Sequence, residues 1–482
     1  MDNVSKTIEK INDYKWLIPK KDDMRVPVVI YASESILEKA LTDNTPLQLI
    51  NVSKLKGITK YSLGMPDVHW GYGAPIGGVG GFDAESGIIS PGFVGYDINC
   101  GVRLLRSDLI VSDVSKYLEP LINTLFNNIP SGVGSDGQLK LKKKELEKVL
   151  KNGSLWALEN GFGSKEDAEN IEDNGRIKDA DPNAVSNRAY ERGATQLGTL
   201  GSGNHFLEIQ QVTDIYDEAT ANAFGIFKNQ ITVMLHSGSR GLGYQVCDDY
   251  LAKFGKVALK YNIKLPDRQL ACAPINSPEG KRYFGAMSAA ANYAFANRQI
   301  MTHFVRETFE SVLKIPYHQI KLSTVYDVAH NICKKETHNV DGIMKKLYVH
   351  RKGATRAFPK QHPDLPDKYK PTGQPVMIPG TMGTASYILI GTEKAMEETW
   401  GSTCHGAGRV MSRKQAIKAS ANRSISSELA IQGIIVRGVS RKGLAEEMPE
   451  AYKDVDEVIE TVEGAGISKK VAKMTPIAVM KG

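Results

Sequence analysis

Residues 92–103 read G-F-V-G-Y-D-I-N-C-G-V-R and set Asp97 and Cys100 three positions apart, in a segment too rich in glycine for an ordinary helix. Short β-like runs flank it at 88–90 and 102–105. The stretch 64–103 holds 11 of the chain's 45 glycines, so backbone freedom is concentrated here. Glycine adopts positive φ and lets the chain come close to a ligand. A carboxylate and a thiol on such a turn offer a metal one hard and one soft ligand. Alone, the pair fits a structural Asp beside a buried Cys better than a metal site, so the rest of the chain has to decide.

Two later stretches repeat the design. In Q-L-G-T-L-G-S-G-N-H-F-L-E (196–208) a glycine cluster with His205 leads into an apolar, strand-like run. In I-T-V-M-L-H-S-G-S-R-G-L-G (231–243) a β-rich run ends at His236 and a glycine turn carrying Arg240 follows. The run 322–331 is a strand or turn with His330 near its end. Histidines at strand-to-glycine junctions are what a site at strand ends requires. His69, in M-P-D-V-H-W-G-Y-G, is a further candidate ligand that fits a packed turn better.

Elsewhere the pattern predicts a strand over 26–31 and a helix over 33–41 capped by Ser33. Helices are expected over 111–127 and 138–151, then loops and short helices over 153–187. A long buried helix is expected over 287–314, a cationic glycine turn within 345–359 and a mixed α/β tail over 433–482. The lysines of 138–151 suit a solvated helix face at least as well as an RNA contact. Residues 376–386 read as a strand followed by small, hydroxyl-rich residues whose backbone N–H groups could wrap a nucleotide.

The chain has 482 residues, 41% hydrophobic and 24% charged, an ordinary balance for a globular protein. A net charge of +7 is compatible with a polyanionic partner. Cys100, Cys247, Cys272, Cys333 and Cys404 form no C-x-x-C pair, which suits a reducing compartment. The first 21 residues lack the apolar core of a signal peptide and no apolar run is long enough to span a membrane, so a cytoplasmic protein is expected. Length suggests about three domains at ~150 residues each. The candidate site residues, however, run from 97 to 481, which points to one domain over 1–482.

Asp97, Cys100, His205, His236 and His330 offer one oxygen, one sulfur and three imidazoles, a set that serves Zn²⁺, Mn²⁺, Fe²⁺ or Co²⁺. Five donors exceed a four-ligand structural site, and two neighbouring metals with a bridging thiolate would fit. His405, in H-G-A-G-R with Arg409 close by, suits a covalent nucleophile whose phosphoryl partner approaches over the glycines. A histidine capping a glycine turn fits the same residues, and residue chemistry alone favours that reading. There is no G-x-x-x-x-G-K-[ST] loop and no K-x-D-G, which removes a P-loop and a lysine-nucleophile ligase.

In order, G-Y-D-I-N-C-G-V-R, G-T-L-G-S-G-N-H-F-L-E, L-H-S-G-S-R-G-L-G, V-A-H-N, R-K-G-A-T-R, P-G-T-M and H-G-A-G-R resemble the motifs of the RtcB family of RNA-splicing ligases, which are GTP-dependent 3′-phosphate RNA ligases. The resemblance implies metal positions at Asp97, Cys100, His205, His236 and His330, with Cys100 bridging two Mn²⁺, and a guanylylated His405. It implies GTP contacts at Asn204, His205, Phe206, Leu207, Glu208, His330, Asn331, Pro379, Gly380, Thr381, Met382 and Ser386. Further GTP contacts fall on His405, Gly406, Ala407, Gly408, Tyr452 and Lys481. Arg240, Lys352 and Arg409 match basic positions near phosphates. The implied fold is α+β: one large mixed α/β domain whose β-sheets pack as a sandwich flanked by helices, with glycine-rich loops forming the active site. The implied partners are RNA, as broken or spliced tRNA ends, and an archease-like activator. Two rivals remain at this point: a metallohydrolase of phosphate esters with His405 as a base, and a noncatalytic RNA-binding protein.

Overall fold

In the computed structural model, which describes residues 7–482, the apolar run after Cys100 forms the strand Gly101–Ile110. It pairs antiparallel on both edges, with Ser323–Ala329 and with Gln230–Ser237. Its side chains alternate: Leu105 packs among helices, whereas Val102 and Leu104 join Phe206, Met234 and Val325 in a second cluster. A strand apolar on both faces belongs in the middle of a layered core. The sheet runs Ser323–Ala329, Gly101–Ile110, Gln230–Ser237, Phe206–Ile215, Ser468–Lys481, Ser386–Gly391, Pro375–Ile378. Ile435–Gly438 lies parallel to the final strand.

A seven-stranded sheet runs Glu9–Asn12, Lys15–Ile18, Val28–Tyr31, Ile58–His69, Ile76–Asp83, Ile343–Lys352, Asn331–Val340. Leu63, Val79 and Val349 from this sheet share one apolar cluster with Val376, Ile378 and Leu389 from the other, so the two sheets face each other as expected. The chain passes from one sheet to the other at His330, between Ser323–Ala329 and Asn331–Val340.

The helix Pro278–Leu313 runs through the core beside Gln230–Ser237 and the helices Leu118–Asn128, Lys143–Asn152 and Ser154–Glu159. It starts nine residues before the expected 287 because Ser277 accepts the Gly280 N–H at 3.0 Å and Pro278 fits the first turn. The helix Arg240–Lys260 occupies what reads as a glycine turn. Leu242, Val246, Cys247, Tyr250 and Phe254 bury one of its faces, and that packing outweighs the poor helix propensity of its glycines. Residues 343–356 are strand on both sides of Gly353 rather than an extended turn, and only Lys143–Asn152 of the expected 138–151 is helical. The strand Val28–Tyr31 and the helix Glu34–Leu41, with Ser33 accepting from the Ile36 N–H at 3.2 Å, follow the sequence pattern. The N-terminal reading falls partly on residues 1–6, outside the described residues. Among the described residues all five cysteines are free and buried, and no helix is long and apolar enough to cross a membrane.

Candidate active site

Four neighbouring strands finish at one edge of the eight-stranded sheet, and their antiparallel register brings the donors together. Gly101 lies opposite both Ser237 and Ala329, and His236 lies opposite both Val102 and Phe206. Asp97 and Cys100 precede the first of these strands, His205 precedes Phe206, His236 ends its strand and His330 follows Ala329. Backbone hydrogen bonds tie the loops: the Cys100 N–H donates to Asp97 O, the His330 N–H to Cys100 O and the Asn99 N–H to Asn331 O. Gly238 leaves room for the Asp97 carboxylate, because a Cβ there would sit 2.3 Å from Oδ1. That carboxylate accepts from the Ser239 N–H at 2.9 Å.

The side chains form two overlapping groups that share Cys100: Cys100, His236, His330, and Asp97, Cys100, His205. Cys100 Sγ lies 3.3 Å from His205 Nε2 and 3.2 Å from His236 Nε2. His236 Nε2 lies 3.2 Å from His330 Nε2, and His205 Nε2 lies 2.8 Å from Asp97 Oδ2. Burial lowers the proton affinity of all three imidazoles, strongly for His236 and His330, and raises the Cys100 thiol pKa well above its usual range. Burial would also raise the Asp97 carboxyl, but its bond to His205 and the Arg240 charge outweigh this and hold it at about 2. Neutral imidazoles, a carboxylate and a buried sulfur therefore converge, with the Arg240 guanidinium at their edge. Such a set fits a divalent metal, which would deprotonate the thiol outright.

Beside this cluster lies His405, directly after the strand Ser402–Cys404. Its ring centroid is 4.7 Å from that of His330. Its Nδ1 is 2.5 Å from Asp67 Oδ2, and the same oxygen accepts the His405 backbone N–H at 3.0 Å. With a carboxylate as acceptor, the hydrogen-bond network assigns the proton to Nδ1 and leaves the Nε2 lone pair free. Asp67 is fully buried. The Lys453 ammonium donates to Pro66 O and Val68 O on either side of it, fixing the strand that carries it. Gly408, at φ +77°, passes so close that a Cβ would lie 2.4 Å from Asp67 O. Sequence reasoning missed Asp67, although it stands two residues before the His69 it did single out. His69 stays outside the metal group: its Nδ1 faces Asp67 O at 2.7 Å and burial pushes its pKa down to about 4.

A cavity of about 410 Å³ joins the two parts. Its wall includes Asp97, His236 and His330 together with Asn204, Asn331, Pro379, His405, Gly406, Ala407, Gly408, Arg409, Tyr452 and Lys352. Phe206, Leu207, Glu208, Gly380, Thr381, Met382, Ser386, Arg240 and Lys481 lie outside that lining. Leu207 is in the apolar core, and Ser386 Oγ accepts from the Gly380 N–H. Burial raises the Glu208 carboxyl to about 8. The Lys352 ammonium donates to Ala74 O and Gly92 O, both at 3.0 Å, and also to Tyr72 O. Arg240 Nε donates to Thr199 Oγ1 at 3.2 Å, with Nη1 3.5 Å from His205 Nδ1.

Two more supporting residues escaped the sequence reading. Buried Glu447 lies 3.1 Å from Arg409 Nη1 and 3.8 Å from Lys481 Nζ, and it accepts from the Tyr452 hydroxyl, so one carboxylate organises three groups near the cavity. Arg298, fully buried in the helix Pro278–Leu313, pairs with Asp327 and donates to Asn99 O at 2.8 Å and Ser237 O at 3.0 Å. It thereby holds the backbone beside Cys100 and His236. The signal was an arginine set in an alanine-rich run, which read only as core.

Residues 48–482 match the family described as tRNA-splicing ligase RtcB. A protein of that name from Archaeoglobus fulgidus is 54% identical over 482 residues, covering the whole of both chains. One from Thermococcus kodakarensis is 53% identical over 476 residues, 98% of this chain and 99% of its own. One from Methanococcus maripaludis is 53% identical over 478 residues, 99% of each chain.

Proposed function

The chain belongs to the RtcB family of tRNA-splicing ligases and is an RNA ligase, and from that premise we propose its reaction in detail. It joins RNA 3′-phosphate or 2′,3′-cyclic phosphate ends to 5′-hydroxyl ends, in tRNA splicing, RNA repair or both. Its co-substrate is GTP and its metal is Mn²⁺, two per site. All of 1–482 acts as one ligase domain in the cytoplasm, with an archease-like activator. Membership sets aside the phosphate-ester hydrolase and the noncatalytic RNA binder.

The reading rests on one observation: an imidazole keyed by Asp67 through Nδ1 has its Nε2 free beside the cluster of metal donors. His405 Nε2 attacks the α-phosphorus of GTP, the bond to pyrophosphate breaks, and Asp67 steadies the positive charge that appears on the ring. An oxygen of the RNA 3′-phosphate then attacks the same phosphorus, and the P–N bond breaks to restore neutral His405. The 5′-hydroxyl oxygen of the second RNA finally attacks the 3′-phosphorus, GMP leaves, and the hydroxyl proton passes to solvent. Asp97, Cys100, His205, His236 and His330 would hold the metals, which neutralise phosphate charge and favour ionised oxygens. Arg409 and Tyr452, hydrogen-bonded to each other at 2.9 Å, both line the cavity, which supports a role for them at the nucleotide. The test is incubation with α-labelled GTP and Mn²⁺ followed by denaturation. Label retained on a peptide containing His405 supports the proposal, and a protein that retains none refutes it.

A further inference from the structure

Residues 409–445 contain eight lysines and arginines and one acid, Glu428. Their net +7 equals that of the entire chain, so the remainder of the protein is balanced. Ala416, Ile425, Leu429, Ile434, Val436 and Leu444 of the segment share a small apolar cluster with Met382, Met448, Ala451 and Val479, which turns the segment's charged residues outward. Its helix Arg413–Ala419 packs against the helix Arg441–Glu446, and a recess of about 290 Å³ opens beside them, lined by Ser420, Arg423, Ser424, Arg441 and Lys442.

Arg423 and Arg437 are spent on Glu428, Glu450 and Glu119. Lys414, Lys418, Arg441 and Lys442 are exposed, and among the described residues none of them has an ion-pair or hydrogen-bond partner for its side chain. Lys414 and Lys418 stand one helical turn apart and so share a face. Unpaired like charges carried by two helices packed together repel one another, and a polyanion would relieve that repulsion. The lobe also begins at the cavity itself, since Arg409 and Arg413 belong to the cavity wall.

We propose that this lobe is the docking surface for the phosphate backbone of the RNA, some nucleotides away from the ends being joined. The inference rests on the ligase reading, which requires an RNA end inside the cavity and therefore a strand leaving it over the rim. Phosphate contacts of this kind set position and affinity without reading sequence. The alternative surface is the other lysine-rich stretch, whose Lys140, Lys142, Lys144 and Lys151 are exposed but outside the cavity wall.

The experiment measures binding of a single-stranded RNA of about twenty nucleotides against KCl concentration. On a single strand each neutralised phosphate contributes about −0.7 to the slope of log K against log salt. The quadruple variant K414A/K418A/R441A/K442A should flatten the slope by about 3 and weaken binding at low salt at least tenfold. Lys414→Arg with Lys418→Arg should keep the wild-type slope, and K140A/K142A/K144A/K151A should leave it unchanged. An unchanged slope in the lobe variant, or a loss in the K140A set instead, overturns the proposal. Labelling by GTP requires no RNA and separates the two claims. A wild type that takes no label fails the ligase reading, whereas a labelled lobe variant with an unchanged slope fails only the docking surface.

Discussion

At the strand ends three imidazoles, a thiol and a carboxylate are linked by contacts of 2.8–3.3 Å, and Asp97, His236 and His330 of this set line the cavity. Toward the 406–408 loop it holds a single imidazole already satisfied by Asp67 at 2.5 Å. Both rest on imidazoles, yet the first set offers converging donors that fit a divalent cation, whereas in the second the partly buried His405 is already paired with Asp67. Burial favours the neutral form of His205, His236 and His330, with Asp97 opposing it at His205, and the Asp67 carboxylate fixes the tautomer of His405. Neither residue type nor a neighbouring carboxylate therefore separates the proposed ligands from the proposed nucleophile, since His205 and His405 each have one; the further donors gathered around Cys100 do.

Breaking the metal half should have the largest effect. Cys100→Ala should reduce ligation to background and lower metal content, because no neighbouring group can replace the shared sulfur, and Cys100→Ser should be nearly as damaging. A fully metallated, active alanine variant would remove Cys100 from the ligand set. Chelation should likewise abolish ligation, with Mn²⁺ restoring it and Mg²⁺ alone restoring little, since Mg²⁺ prefers all-oxygen octahedra. Equal rates with the two ions would contradict a site containing sulfur.

The histidine half is tested by Asp67→Asn. An amide can donate to Nδ1 and favour the wrong tautomer, so GTP labelling should fall by about 10²–10⁴-fold. Metal content should be unchanged, and a loss of metal would mean that the two halves are not independent. Arg298→Met sharpens the same boundary from behind: it releases the carbonyls beside Cys100 and His236 and should weaken metal binding about 10–100-fold, read by titration of the ion. Cys247→Ala marks the bottom of the scale. Cys247 is as buried as Cys100 but lies in the helix Arg240–Lys260, so it should cost only about 1 kcal/mol by denaturant unfolding, with normal ligation.

The metal half was legible in the sequence because Asp97, Cys100, His205 and His236 sit at glycine junctions that mark strand ends and His330 lies near the end of a strand-like run, and antiparallel register does the rest. The seven-residue rise from Gly95 to Gly101 carries its own punctuation, as do the glycines around His205 and His236. The support for His405 was not legible. Asp67 lies 338 positions away, inside the strand Ile58–His69, and nothing local distinguishes it from a turn-forming Asp. Arg298 was hidden for the same reason, since its backbone partners at Asn99 and Ser237 lie 199 and 61 positions away. The start of the helix Arg240–Lys260, residues 240–243, was misread because its glycines resemble the loop glycines nearby, and only its buried face, visible after folding, settles its conformation.

The division of labour is tested most directly by His405→Ala with an RNA that already carries GMP on its 3′-phosphate. The variant should take no label from GTP and should not join an unactivated 3′-phosphate, yet it should keep its metals and seal the preactivated strand to a 5′-hydroxyl. His236→Ala should fail with both substrates. If His405→Ala retains normal metal content but cannot seal the preactivated RNA, the nucleophile and the metal cluster do not act separately, and the account is wrong.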